Sequence, residues 1–285
     1  MCLSEKAGNE EEKEDIFFKH SGCPNFTTNL NKNTSINLVA VPSFAFSLSF
    51  TSKIWQVALD AGTGYMVLEL RDEDTQEVKY QLLDLKSLKD RKPFEIPEAD
   101  WWTTVLRFYH PFLLLERYND PQNPLSKDLL VYDTLSLSLN HVLTDFQFIQ
   151  MESGDLMGHV PGDQSNEQRW SLGSRTEPLA GSNVRYPVYY APGSEYYTLV
   201  KEFLGMEEAP VGFEYDEYGK NIIISYYERL GTKFDRKLLV MQGDVELYHE
   251  VVDTGLNGYA SGSFFSFNNL LVFVQNGNQI HAIEL

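Results

Sequence analysis

Residues 53–85 read KIWQVALDAGTGYMVLELRDEDTQEVKYQLLDL. The first apolar run, IWQVAL at 54–59, stops on Asp60-Ala61-Gly62-Thr63-Gly64, and the second, YMVLEL at 65–70, stops on Arg71-Asp72-Glu73-Asp74. A third, VKYQLL at 78–83, alternates as a strand wetted on one side does. Gly and Asp are the residues a tight reversal needs, Gly for positive φ and Asp for bonding its own backbone. Three short β-rich runs joined by such turns predict a three-stranded meander.

The same grammar recurs along the chain. Residues 103–109, 112–118 and 128–132 make a second triple, with Asn119-Asp120-Pro121-Gln122-Asn123-Pro124 as a long turn. Residues 146–151, 156–160 and 168–172 make a third, and 211–215, 221–227 and 237–241 a fourth. The last triple, 263–267, 270–274 and 279–283, turns on Asn268-Asn269 and Asn276-Gly277-Asn278. Asn-Gly is a strong hairpin signal because both residues tolerate positive φ. A unit that cannot bury its own faces must stack on its neighbours. The expectation is an all-β fold, a β-propeller of about five blades with six or seven as alternatives.

One segment departs from this pattern. Tyr196, Leu199, Val200, Phe203 and Leu204 recur at helical spacing, with Ser194 placed as a cap and Gly205 as a stop, so one short inserted helix is expected. Residues 1–35 are polar and acidic without a sustained period and read as a flexible tail, leaving 36–285 as a single domain.

Composition bounds the function. Forty-one acidic side chains against 23 basic ones give a net charge of −18 in 285 residues. Phosphate backbones are bound by Lys and Arg that displace condensed counterions, so nucleic acid and anionic membrane surfaces are not expected as partners. An aromatic content of 13% favours sheet surfaces. The two cysteines, Cys2 and Cys23, cannot form a disulfide framework, and His20 with Cys23 is half a zinc site without a second half. The acidic start has no signal-peptide character and no apolar run reaches membrane-spanning length, so a cytoplasmic location is expected.

Trp55-Gln56-Val57-Ala58-Leu59-Asp60-Ala61-Gly62-Thr63-Gly64 resembles the repeats of quinoprotein-like β-propellers, with Leu130-Val131-Tyr132-Asp133 and Gln279-Ile280-His281-Ala282-Ile283 similar to their strand ends. The second Trp those repeats carry after Thr-Gly is missing here. The order of Trp strand, charged turn, Leu-Asp-Leu, double Trp and Asn-Asp-Pro-Gln-Asn-Pro also resembles a family of uncharacterised bacterial proteins known only as a domain of unknown function. Neither resemblance implies a catalytic or cofactor residue. Leu59-Asp60-Ala61-Gly62-Thr63-Gly64 further resembles the first phosphate loop of the sugar-kinase, actin and heat-shock ATPase superfamily, but no second Gly-rich loop or adenosine motif follows.

No other motif carries chemistry. Residues 72–77 start like a calcium loop, but Glu77 replaces the required Gly and Leu83 the twelfth-position acid. Ser261 is one place too late for a nucleophile elbow in 258–262, and the histidines at 110, 141, 159, 249 and 281 show no metal spacing. No cofactor, metal ligand or catalytic residue is identified. The candidate ligand or partner surface is Trp101, Trp102, Asn119 and Asp120. The expected function is a non-enzymatic interaction or scaffold module whose partner is another protein. The alternatives are a small-molecule binder at the channel mouth, and a hydrolase or lyase using acids of the central channel.

Overall fold

The computed structural model describes residues 44–120, 122–163, 166–172, 184–208 and 210–285, all of them in one compact unit, Val39–Leu285. The tail expected over residues 1–35, with Cys2, His20 and Cys23, lies outside the described residues.

The chain enters through β1 (Phe44–Ser49) and then forms the expected meander, β2 (Lys53–Leu59), β3 (Tyr65–Asp72) and β4 (Glu77–Asp84), with a short fourth strand β5 (Lys89–Asp90). A second sheet takes β6 (Thr103–Tyr109), β7 (Phe112–Tyr118), β8 (Lys127–Asp133) and β9 (Ser138–Leu143). A third takes β10 (Gln147–Glu152), β11 (Asp155–His159) and β12 (Gln168–Ser171). Then come β13 (Val184–Arg185), β14 (Val188–Tyr190) and helix α1 (Glu195–Phe203). The fourth sheet runs β14, β15 (Phe213–Tyr218), β16 (Asn221–Leu230), β17 (Lys233–Gln242) and β18 (Val245–Leu256). The last strands, β19 (Phe264–Phe267), β20 (Leu270–Gln275) and β21 (Gln279–Glu284), form the fifth sheet, flanked by β13 on one edge and β1 on the other. The described residues are thus all-β with one helix, in five antiparallel sheets.

The sheets stack face to face, and this explains the apolar runs. Strand β3 is buried along nearly its whole length because its alternate side chains enter different seams. Val67 packs with Leu82, Leu113 and Leu130 toward the second sheet, whereas Met66 and Leu68 pack with Leu83, Phe267 and Ile280 toward the fifth. Strand β7 repeats the pattern: Leu113 and Leu115 face the first sheet, and Leu114 faces Phe146 and Leu156 of the third-sheet side. The fourth sheet gives Ile223, Leu238 and Val240 to the fifth, and Phe213, Ile224 and Leu239 to α1. Gly64 (φ +81°) lies where a Cβ would come 2.5 Å from Phe267 Cζ, so its turn needs glycine on both counts.

The helix forms where its periodicity predicts. Ser194 Oγ accepts from Tyr197 N at 3.2 Å, Tyr197 and Val200 are buried, and Gly205 (φ +63°) ends it. Ser194→Ala is expected to cost about 1 kcal/mol of stability, read by urea unfolding. No change would mean that packing alone holds the helix.

Strand β1 pairs with β21 from Phe44↔Ile283 to Ser49↔Gln279, so both ends of the described chain meet in one sheet. Opposite Ser47, β21 carries His281, buried, stacked on Phe44 at 4.5 Å and near Phe273, with Gln279 Oε1 3.3 Å from its Nε2. Burial pulls its imidazole below the ordinary 6.5. The unfolded chain therefore takes up the proton first, and stability present above about pH 6.5 is lost as pH falls through the lower folded value. His281→Phe is expected to flatten the fall of melting temperature between about pH 7 and 5 relative to the parent. Asp216 and Asp253, raised by burial, act in the opposite sense in both proteins. Parallel curves for the two proteins would dismiss the histidine.

Segment 184–190 places β13 on the free edge of β19 and β14 on the free edge of β15. Arg185 bonds Asp216 at 2.6 Å across the two sheets. Among the described residues no helix is long and apolar enough to cross a membrane.

Candidate functional site

The four residues singled out in the sequence fall at one end of the second sheet, the end where β6 starts and β7 stops. Trp101 and Trp102 form the turn into β6. Asp100 fixes it, accepting from Trp102 N at 2.9 Å and from Thr103 Oγ1 at 2.9 Å, and Tyr118 N donates to Trp102 O at 3.1 Å. That last bond brings loop 119–126 beside the tryptophans. Asn119 is structural, its Nδ2 donating to Asp128 Oδ1 at 2.9 Å. Asp120 caps Gln122 N at 2.9 Å from an exposed position.

The two tryptophans have different fates. Trp101 is half-buried, its ring 5.0 Å from the Arg71 guanidinium carbon, while Trp102 is 51% exposed. Trp55, which the sequence placed only as a strand residue, is 53% exposed and covers the same guanidinium at 4.7 Å. It sits at a bulge between Ile54 and Gln56, where pairing with β3 skips one residue and re-aims the side chain. That skip depends on partner register, so no local sequence signal marks it.

Arg71 is the centre of the cluster. Its Nε bonds Glu69 Oε1 at 2.6 Å, Nη1 donates to Trp101 O at 2.8 Å, and Nη2 to Thr103 O at 2.9 Å. Glu69 Oε2 accepts from Val105 N at 2.6 Å and Thr104 Oγ1 at 3.0 Å. One buried ion pair on β3 thus clamps the start of β6. Tyr80 is buried nearby, and burial followed by the Glu69 charge pushes its phenol up.

The same device joins other sheets. Asp128 on β8 accepts from Asp145 N at 3.1 Å, just before β10, and from Arg117 Nη2 at 2.8 Å. Burial acts against it, but the bonds from Arg117, Asn119 and Asp145 hold its carboxyl below the ordinary value. Glu214 on β15 accepts from Gly262 N and from Ser263 N at 3.0 Å, just before β19. These buried acids are engaged by backbone donors of the following sheet, where a buried carboxylate needs them.

Two of the clefts among the described residues lie toward this end. One, of about 560 Å³, lies between the fourth and fifth sheets, with Tyr259 and Tyr227 as aromatic walls and Lys53 on the rim. Its floor is the Arg236–Asp253 pair at 2.7 Å, where burial raises the aspartate and Arg236 lowers it. The other, of about 400 Å³, lies between loop 119–126 and Val160-Pro161-Gly162. Among the described residues no three His, Cys, Asp or Glu side chains converge as metal ligands.

A family described as a domain of unknown function (DUF4905) matches residues 59–140, the stretch from the end of β2 into β9. That is under half of the chain, and it contains both tryptophans and the 119–124 turn singled out from sequence. No curated protein matches. Similar solved structures include KlHsv2 with loop 6CD replaced by a Gly-Ser linker, 7% identical with a TM-score of 0.28. The alignment covers 81% of this chain and 65% of that one, so this chain spans less than two thirds of its length. The β-propeller domain of the Trilobed protease from Pyrococcus furiosus is 13% identical (TM-score 0.29, 76% and 73% covered). The Cps50 (Swd1) β-propeller domain from Myceliophteria thermophila is 8% identical (TM-score 0.29, 85% and 89% covered). Superpositions this loose carry no argument.

Proposed function

We propose that this chain is a β-propeller-type interaction module that docks another protein through the end bearing Trp55, Trp101 and Trp102. The propeller reading is supported by the five successive meanders, their face-to-face seams and the pairing of β1 with β21. The observation that carries the docking reading is the exposure of Trp55 and Trp102, each over half, on a rigid support built around Arg71. An indole held open to water forgoes a large apolar burial, and tryptophan is among the residues that dominate binding energy at interfaces.

A photoreactive benzoylphenylalanine placed at Trp102, and in a parallel protein at Leu135 on the β8–β9 turn at the opposite end, tests this in the native host. Leu135 is 56% exposed, so the two positions are matched for access. Position 102 is expected to give a discrete adduct that position 135 does not. Identical or absent adducts at both would end the docking reading.

The cleft between the fourth and fifth sheets favours a second reading, a small-ligand binder. Its volume is in the range of small-molecule sites, and it combines aromatic walls with a buried ion pair. Soaking crystals with a fragment library tests it: density stacked on Tyr259 supports the reading, and an empty cleft throughout rejects it.

A further inference from the structure

We propose that the tryptophan end recognises an extended, arginine- or lysine-bearing segment of its partner, the cations lying on the exposed indoles and pairing with the carboxylates around them. This rests on the docking reading above and adds the partner's chemistry.

The face of an indole attracts cations through its quadrupole, more strongly than any other side-chain ring. The site already uses that attraction once, with Arg71 held between Trp55 and Trp101 at 4.7 and 5.0 Å. Arg71 is spent: its guanidinium is bonded to Glu69, Trp101 O and Thr103 O and is buried beneath the rings. Among the described residues no further cation covers the water-facing surfaces of Trp55 and Trp102.

Acids flank these residues along the chain. The β3–β4 turn that follows Arg71 carries Asp72, Glu73 and Asp74, the Asp100 carboxylate accepts from Trp102 N, and Asp120 lies two residues after Tyr118, whose N–H donates to the Trp102 carbonyl. Nearby surface cations are already paired, Lys53 with Glu73 at 2.9 Å and Arg117 with Asp128 at 2.8 Å. Asp74 and Asp120 are exposed. The chain as a whole, at −18, raises the local concentration of a basic partner and speeds its encounter. No tryptophan lines either cleft, so the indoles offer an open platform suited to a strand of chain rather than a small enclosed cation.

The probe is a fluorescein-labelled ten-residue peptide of alternating arginine and glycine, with a second peptide in which every arginine is citrulline, the neutral isostere. Anisotropy titrations use the full chain at about 50 and 300 mM salt, which separates screened from short-range terms. The arginine peptide is expected to bind about tenfold or more tightly than the citrulline peptide and to quench tryptophan fluorescence. Trp102→Leu, which keeps apolar bulk but removes the ring face, is expected to weaken binding about tenfold, and Trp55→Leu similarly. Asp74→Lys with Asp120→Lys should weaken it and flatten its salt dependence, while Leu135→Ala should change nothing. Equal binding of the citrulline peptide overturns the proposal. So does undiminished binding by a folded Trp102→Leu protein, which would reduce the attraction to net charge alone. If the arginine peptide fails while the adduct at position 102 still forms, the partner chemistry falls and the docking reading stands.

Discussion

Glu69→Ala is expected to lower the unfolding free energy by about 3–5 kcal/mol, the largest effect of any single substitution considered for this chain. Glu69 is fully buried and anchors three groups: Arg71 Nε, Val105 N and Thr104 Oγ1. Removing it leaves the Arg71 charge buried without its carboxylate and strands a backbone N–H in the seam between two sheets. The cost lies in what is left behind, not in the attraction itself, because desolvating two charges offsets much of their Coulomb gain. A double replacement therefore discriminates. Glu69→Leu with Arg71→Met removes both charges together and should be less destabilising than either single change. Urea unfolding followed by tryptophan fluorescence reads both. A loss below about 1 kcal/mol for Glu69→Ala would show that the clamp is dispensable.

Removing Phe44 to Ser49 is the second large perturbation. This strand covers the outer edge of β21, and Phe46 and Leu48 pack into the cluster formed by Met66, Leu83, Phe267 and Ile280. Stripping those two partly buried side chains alone forfeits about 2–4 kcal/mol, before the exposed edge of β21 is counted. The melting temperature of a chain starting at Phe50 should fall steeply, and the new edge invites pairing between molecules. A chain lacking only residues 1–30 should melt almost as the parent does. Equal melting of the parent and the chain starting at Phe50 would mean that β1 is an accessory strand.

Much of the fold was legible because the signals are local. The runs YMVLEL and LLLERY each announce a strand by composition, and the Asp-, Asn- and Pro-bearing turns after them announce where each reverses. The helix was legible for the same reason, with stripe, cap and stop all within residues 194–205. Strand β18 carries no such signal: it lies at a sheet edge with mostly exposed side chains, so no alternation marks it. The two-residue β13 and three-residue β14 are strands only because the edges of β19 and β15 receive them.

Of the candidate surface, the sequence marks Trp101, Trp102, Asn119 and Asp120 by residue type alone; in the fold Trp102 is exposed, Asn119 bonds Asp128 and Trp101 covers Arg71. The sequence marks Trp55 only as a strand residue, since its exposure comes from a one-residue skip in register with β3. By itself, then, the sequence determined the class of fold, the repeated meander and the acidic surface, because turn chemistry, periodicity and net charge are properties of neighbours along the chain. Only the tertiary structure decided that β1 joins β21, that Glu69, Asp128 and Glu214 clamp the sheet that follows, and that Arg71 lies between an exposed Trp55 and a half-buried Trp101 while Trp102 stands open. Each of these depends on which distant backbone groups meet, and a buried charge or an exposed ring is defined by those partners rather than by its place in the chain.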